Sequence, residues 1–216
     1  MKQVAIFGVS GFGREVMPHA RAQWIASSHE HEMVFVDDDS PFKTMNGHRV
    51  LTYADWLKEP ATDRHINIAI ANSVVREQLV RRCMIDGVQF FEIRAANVVQ
   101  LDDVLLGEGA ILCPFSMLTS NIRIGNHFHA NIYSYVAHDC RIGDFVTFAP
   151  GVMCNGNVFI EDHVYIGTGA VIKQGTPDQP LVIGRGAVVG MGAVVTKSVP
   201  PGTTVIGNPA RPLIKP

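Results

Sequence analysis

A chain of 216 residues with 18 Lys and Arg against 20 Asp and Glu carries a formal charge of −2, which offers no basic face to nucleic acid. No apolar run is long enough to span a bilayer, and Met1 to Ala5 leads into a strand and not a signal peptide, so a cytoplasmic protein is expected. The length allows one or two domains with cores of their own.

Lys2 to Gly8 reads as a short apolar strand, and Val9-Ser10-Gly11-Phe12-Gly13-Arg14-Glu15 follows at once and opens a helix. Strand, glycine-rich turn and helix together suit an anionic ligand, because free backbone N–H groups and the helix dipole face the turn. Met33 to Val36 predicts a second strand, ending in Asp37-Asp38-Asp39, whose carboxylates can accept hydrogen bonds from a ribose or a base. A third strand is expected over Ile66 to Ala71, a helix carrying Arg76 and Arg81 over Ser73 to Met84, and a last strand over Val88 to Ile93. This is a small α/β unit of Rossmann type. The residues oppose a nicotinamide dehydrogenase: that fingerprint needs Gly second in the turn so the backbone can approach a pyrophosphate, and Ser10 stands there. The segment is also too short for a second mononucleotide-binding half.

From Leu106 the chain repeats every six residues, through Leu112, Ile124, Val136 and Ile160 to Ile172, and the same step resumes at Ile183, Val189 and Val195. A helix repeats near 3.6 and an exposed strand near 2, so a period of six means stacked coils, with one short strand and one turn per hexad. Three hexads close a triangular coil, predicting about four coils before the interruption and about one after it. The residue after the aliphatic one is repeatedly Gly or Asn, as at Gly107, Gly125, Asn131 and Gly143, and is expected to supply the positive φ of tight corners. Lys173 to Pro180 is dense in turn residues and predicts an extruded loop. The cysteines, Cys83, Cys113, Cys140 and Cys154, form no CxxC pair; Cys140 and Cys154 fall on small or inward positions and read as buried thiols of a reducing compartment.

The hexads resemble those of the hexapeptide acyltransferases, whose parallel β-helix is left-handed; the hand comes from that resemblance alone. With Gly8 to Glu15, Val36-Asp37-Asp38, and Ala69-Ile70-Ala71-Asn72 with Arg76 ahead of them, nearly the whole chain resembles the PglD/NeuD-like sugar acyltransferases. The resemblance implies a Rossmann-like nucleotide-sugar domain over 1–92, a left-handed parallel β-helix over 93–216, and a homotrimer with its clefts between solenoids. By the same resemblance Gly8, Ser10 and Gly11 lie along the nucleotide, Asp37 and Asp38 contact its base or ribose, and Asn72 belongs to the same site. Members often carry His-Pro at the junction, where Ile93-Arg94-Ala95-Ala96 stands here.

His138-Asp139-Cys140 ahead of Ile142-Gly143 looks like the family's pair of His and acidic residue. Acyl transfer from a thioester needs a base for the proton of the attacking group, which neutral imidazole suits, and a neighbouring carboxylate fixes its tautomer. His138 is thus the expected base and Asp139 its orienting partner. Adjacent residues of an extended chain point apart, so their bond requires a bent corner or a neighbouring subunit. The resemblance further implies that the Gly156 N–H faces the thioester carbonyl, an effect worth about 3 kcal/mol. Thr147 stands where some members have a second histidine that contacts the acyl donor. Gly190 and Met191 are expected beside the pantetheine, with Lys197, Arg211 or Lys215 near the coenzyme A phosphates. The implied reaction is acetyl transfer from acetyl-coenzyme A, without a metal, to the amine of a UDP-linked 4-amino-deoxy sugar destined for surface glycans. The alternatives are a GDP-linked amino-sugar, O-acetylation of a sugar hydroxyl, a non-catalytic nucleotide-sugar scaffold, and a zinc-dependent hydratase. The last would use His127, His129, His138 or His163, with His127 and His163 read at the third place of their hexads like His138.

Overall fold

The computed structural model describes residues 1–26 and 30–213. Contacts divide the chain into two compact units, Met1–Arg94 and a second from Ala95 onward, two residues beyond the division read from sequence.

The first unit contains β1 (Lys2–Phe7), α1 (Gly11–Ala26), β2 (His31–Val36), β3 (Thr44–Met45), β4 (His48–Leu51), α2 (Tyr53–Lys58), β5 (Arg64–Ile68), α3 (Ser73–Ile85) and β6 (Gln89–Phe90). They form one sheet in the order β3-β4-β2-β1-β5-β6, parallel except for the β3–β4 hairpin. β1 is central, and its residues Val4 to Phe7 are all buried, as a strand covered on both faces must be. The third strand ends at Ile68 and not at Ala71, because its register pairs Ile68 with Phe7 and β1 stops where Gly8 turns at φ 106°. The hairpin and α2 went unread in the sequence, although Asn46-Gly47, both at positive φ, is a favoured hairpin turn and Thr52 caps α2 by accepting from Asp55 N–H.

The second unit is a left-handed parallel β-helix of three sheets. The first face stacks Val99–Gln100, Met117–Leu118, Tyr135–Val136, Met153–Cys154, Val171–Ile172 and Val194–Val195. The second carries Val104–Leu106, Ile122–Ile124, Arg141–Ile142, Val158–Ile160 and Leu181–Ile183, and the third includes Ile111–Leu112, Thr147–Phe148 and Thr204–Ile206, to which Arg211–Pro212 adds antiparallel. Val136 pairs with Cys154 and Cys154 with Ile172, a step of 18 residues, whereas Ile172 pairs with Val195, a step of 23. The added five residues are the extruded loop. The first face begins at Val99–Gln100, earlier than the aliphatic run, because polar Gln100 occupies the place that Leu118 takes in the next coil.

The corners are built differently from expectation. Positive φ falls on the fourth place of the hexad and not the second, and bulky residues accept it: Phe115, His127, Tyr133, Phe145 and His163 lie between 54° and 61°. Glycine at the second place serves close approach instead. A Cβ on Gly125 would lie 2.8 Å from Gly143 C, and one on Gly143 would lie 2.7 Å from Asp162 N. His127 and His163 are therefore one place beyond His138 in their hexads. They stack on either side of Phe145, at 5.2 and 5.3 Å between ring centroids, on the corner between the second and third faces.

Candidate active site

His138 and Asp139 lie on the corner between the first and second faces. Asp139 sits at φ 59°, and this left-handed bend turns two adjacent side chains toward one another, so that His138 Nδ1 lies 2.7 Å from Asp139 Oδ2 within one chain. A carboxylate only accepts, so Nδ1 carries the hydrogen, and in the neutral ring Nε2 is then the acceptor. Both side chains are about half exposed, at 48% and 47%.

One coil further along the same edge is Gly156. The imidazole lies against it: a Cβ there would be 2.5 Å from His138 Cε1 and 2.6 Å from Nε2, so a side chain at 156 and the observed imidazole position exclude each other. The Gly156 N–H donates to no acceptor among the described residues. The extruded loop is rooted at this point, since Gly175 N–H donates to Gly156 O at 3.0 Å and Leu181 N–H to Asn157 O at 3.1 Å. Pro177 and Pro180 of the loop wall a cleft of about 370 Å³ with Asp139, Cys140, Arg141 and Phe159. Arg141, which stacks over the Phe159 ring at 5.0 Å, was not singled out from sequence; its outward place on the second face beside Asp139 was the available signal.

In the first unit Gly8 closes against the end of β5, where a Cβ would lie 2.8 Å from Ile70 Cδ1, and Gly13 packs so closely that a Cβ would fall on Gly8 O. At Gly11 a Cβ meets nothing within 4 Å, and Ser10 is exposed beside it at the start of α1. The two candidate acidic residues after β2, Asp37 and Asp38, already have partners. Asp37 accepts from Val9 N–H at 3.0 Å and Asp39 N–H at 3.1 Å, fixing the glycine turn. Asp38 accepts from Tyr53 N–H and Arg82, each at 2.7 Å. Asn72 caps α3 by accepting from Val74 and Val75 N–H. Buried Arg76 donates to Ile70 O at 2.7 Å, and burial lowers its pKa to about 9.

Thr147 is buried on the third face, which does not flank the His138 corner. Gly190 lies where a Cβ would meet Ile206 Cγ2 at 2.7 Å, and Met191 is 81% exposed. Lys197 occupies the same place in its hexad as His138 and falls on the same edge. It shares a cleft with Arg211, and a second with Lys173 and the loop. Lys215 lies outside the described residues.

Residues 3–83 match the PglD N-terminal domain family. A GDP-perosamine N-acetyltransferase of Escherichia coli O157:H7 is 50% identical over 212 residues, covering 98% of this chain and 96% of that protein. The chain belongs to the PglD/NeuD-like sugar acyltransferases. As a member it is an acetyl-coenzyme A-dependent sugar N-acetyltransferase. WeeI from Acinetobacter baumannii AYE superposes with a TM-score of 0.95 at 61% identity, covering 99% of this chain and all of that one. The acetyltransferase domain of PglB from Neisseria gonorrhoeae FA1090, solved with acetyl coenzyme A, gives 0.83 at 28% identity and covers 98% of each chain. Among the described residues no helix is long and apolar enough to cross a membrane, and no group of three His, Cys, Asp or Glu is placed to hold a metal.

Proposed function

We propose that the enzyme moves the acetyl group of acetyl-coenzyme A onto the amine of a UDP-linked 4-amino-deoxy sugar, with His138 as general base. The observation that carries this reading is the 2.7 Å bond between His138 Nδ1 and Asp139, which leaves Nε2 as the free acceptor beside the unpartnered N–H of Gly156. The amine nitrogen attacks the thioester carbonyl carbon, and Nε2 takes the proton it sheds. Charge gathers on the carbonyl oxygen, where Gly156 N–H donates to it. The C–S bond then breaks, leaving the amide and coenzyme A, and no covalent acyl-enzyme is needed.

Lys197 supports the placement of the cofactor. It lies on the same edge two coils beyond Gly156, about 10 Å at about 4.8 Å per coil, on the side toward which a pantetheine arm runs from a thioester at Gly156 to its phosphates. The nucleotide is assigned to the turn from Gly8 to Gly11, where Gly8 and Val9 are fixed by their own N–H bonds and Gly11 leaves open space at the start of α1. Asp37 acts there by holding the turn. Asp38 and Asn72 act through the shape of the neighbouring loops, and the assembly is a homotrimer with the cleft between solenoids. The E. coli relative, named for GDP-perosamine, favours a second reading in which the carrier is GDP.

Coenzyme A release, followed with UDP-, GDP- and CMP-linked amino-sugars, tests the assignment. Release with a UDP-4-amino-sugar, lost about 100-fold or more in His138→Ala, is the expected result. Release only with the GDP sugar moves the carrier to the second reading, and an unimpaired His138→Ala removes the base.

A further inference from the structure

The two cysteines beneath the catalytic corner take no part in that mechanism. Both are fully buried, yet Cys140 Sγ lies 3.2 Å from the backbone oxygen of Asn155 and Cys154 Sγ lies 3.8 Å from the same oxygen. The Asn155 carbonyl belongs to the peptide unit whose nitrogen is Gly156 N.

On the corner between the third and first faces the corresponding carbonyl is repeatedly held by the backbone. Asn131 O accepts from Ser134 N–H, Gly167 O from Ala170 N–H and Gly190 O from Ala193 N–H. On the His138 edge this turn bond is missing, and no N–H of Val158 reaches Asn155 O. Instead the Cys140 thiol stands in the gap, donating to Asn155 O. Its pKa is lowered, first by the hydrogen bond from Cys154 and also by the backbone N–H groups of Val158 and Asn157, against its burial. Cys154, fully buried and donating to Cys140, is raised. The Asn155 side chain is fixed too, its Nδ2 donating to Ile172 O at 2.8 Å and its Oδ1 accepting from Tyr135 at 3.0 Å.

A trans peptide points its C=O and N–H in opposite directions. Holding the Asn155 oxygen inward therefore aims the Gly156 hydrogen outward, where no group among the described residues accepts it and the His138 ring lies alongside. We infer that Cys140, backed by Cys154, is a positioning residue for acetyl transfer: its thiol occupies an opened turn and holds the Asn155–Gly156 peptide with its N–H toward the thioester oxygen. Chained donors polarise one another, so the thiol pair also strengthens that N–H as a donor. Without the Cys140 thiol, the Asn155 oxygen keeps only the longer contact with Cys154 at 3.8 Å, which leaves the peptide free to rotate and withdraw the N–H.

This inference rests on the proposed oxyanion role of Gly156. Its test compares steady-state coenzyme A release by wild type, Cys140→Ala, Cys140→Val and Cys140→Ser, with melting temperatures measured alongside. Loss of one such donor lowers kcat by about 100-fold, and Cys140→Ala and Cys140→Val are expected to approach that loss with KM for acetyl-coenzyme A unchanged within about twofold. Cys140→Ser keeps an O–H donor and is expected to restore kcat to within about fivefold of wild type. Cys140→Val fills the space of the thiol without donating, so it separates positioning from packing if Cys140→Ala melts early. Full activity in Cys140→Val, or equal losses in Cys140→Val and Cys140→Ser, overturns the inference while leaving the function standing. A wild type that releases no coenzyme A with any nucleotide sugar overturns both.

Discussion

The His138 imidazole and the Gly156 backbone occupy adjoining space, and that contact makes position 156 as restrictive as the base itself. A methyl at Gly156 would sit within 2.9 Å of three ring atoms, so the ring must swing away and give up its bond to Asp139. Gly156→Ala is expected to lower kcat by about 100-fold, since a displaced base loses its near-attack geometry, with the fold retained by circular dichroism and the melting temperature little changed. Unaltered turnover would show that the ring is not needed where it lies. The pair His138-Asp139 was legible in the sequence because two polar residues break a bland repeat. How adjacent residues could meet was not, because the bend depends on Asp139 adopting a left-handed conformation that its residue type only tolerates. The partners of Asp38 were not legible for a related reason: Tyr53 and Arg82 lie 15 and 44 residues away, and no local pattern announces them.

At the scale of a coil, the aliphatic places were read correctly because a buried prism accepts little else, while the corners were misread. Glycine in a repeat suggested positive φ at the second place, but those glycines lie under the next coil, and the left-handed turns fall at the fourth place, on Gly, Asn and Asp and also on rings that stack in columns such as His127, Phe145 and His163. The two kinds of glycine should respond differently to one methyl group. Gly169 has φ 68° and nothing within 4 Å of a Cβ, so Gly169→Ala should cost only the strain of an L-residue in that region, about 1 kcal/mol. Gly143→Ala places a methyl 2.7 Å from a backbone nitrogen, and since coils cannot part without losing ladder bonds the cost should reach about 3 kcal/mol or more. Denaturant melts of the two variants check the order, and a Gly143→Ala no less stable than Gly169→Ala would refute the close-approach account. In the first unit Arg76 poses the complementary test. Its guanidinium donates to Ile70 O and Ala71 O, so Arg76→Met should leave buried carbonyls unmatched and destabilise the protein by about 2 kcal/mol, read from the shift in the unfolding midpoint.

For the whole molecule, the three faces of the β-helix differ in what they offer a partner. The outward places of the second face mix Arg123 and Arg141 with Leu105, Phe159 and Val182, whereas those of the first face hold Val99, Met117, Tyr135, Met153, Val171 and Val194, a charge-free and largely apolar column as long as the stack. Val99, Met117 and Met153 are exposed within one chain. An apolar stripe of that length beside the His138 corner is a surface for burial, and in the proposed trimer a neighbouring solenoid covers it and closes the cleft. Sedimentation of the wild type should then give three times the 23.6 kDa of the chain. Met153→Glu places a charge in the middle of the stripe, where burial without a partner costs several kcal/mol, and should sediment as a single chain. Because the His138–Asp139 bond lies wholly within one chain, such a monomer keeps its base and orienting carboxylate and lacks only the neighbour's wall. Its turnover should nevertheless collapse, chiefly through KM for acetyl-coenzyme A, while nucleotide binding by the first unit persists. A Met153→Glu monomer with wild-type KM and kcat would place the complete site within one subunit.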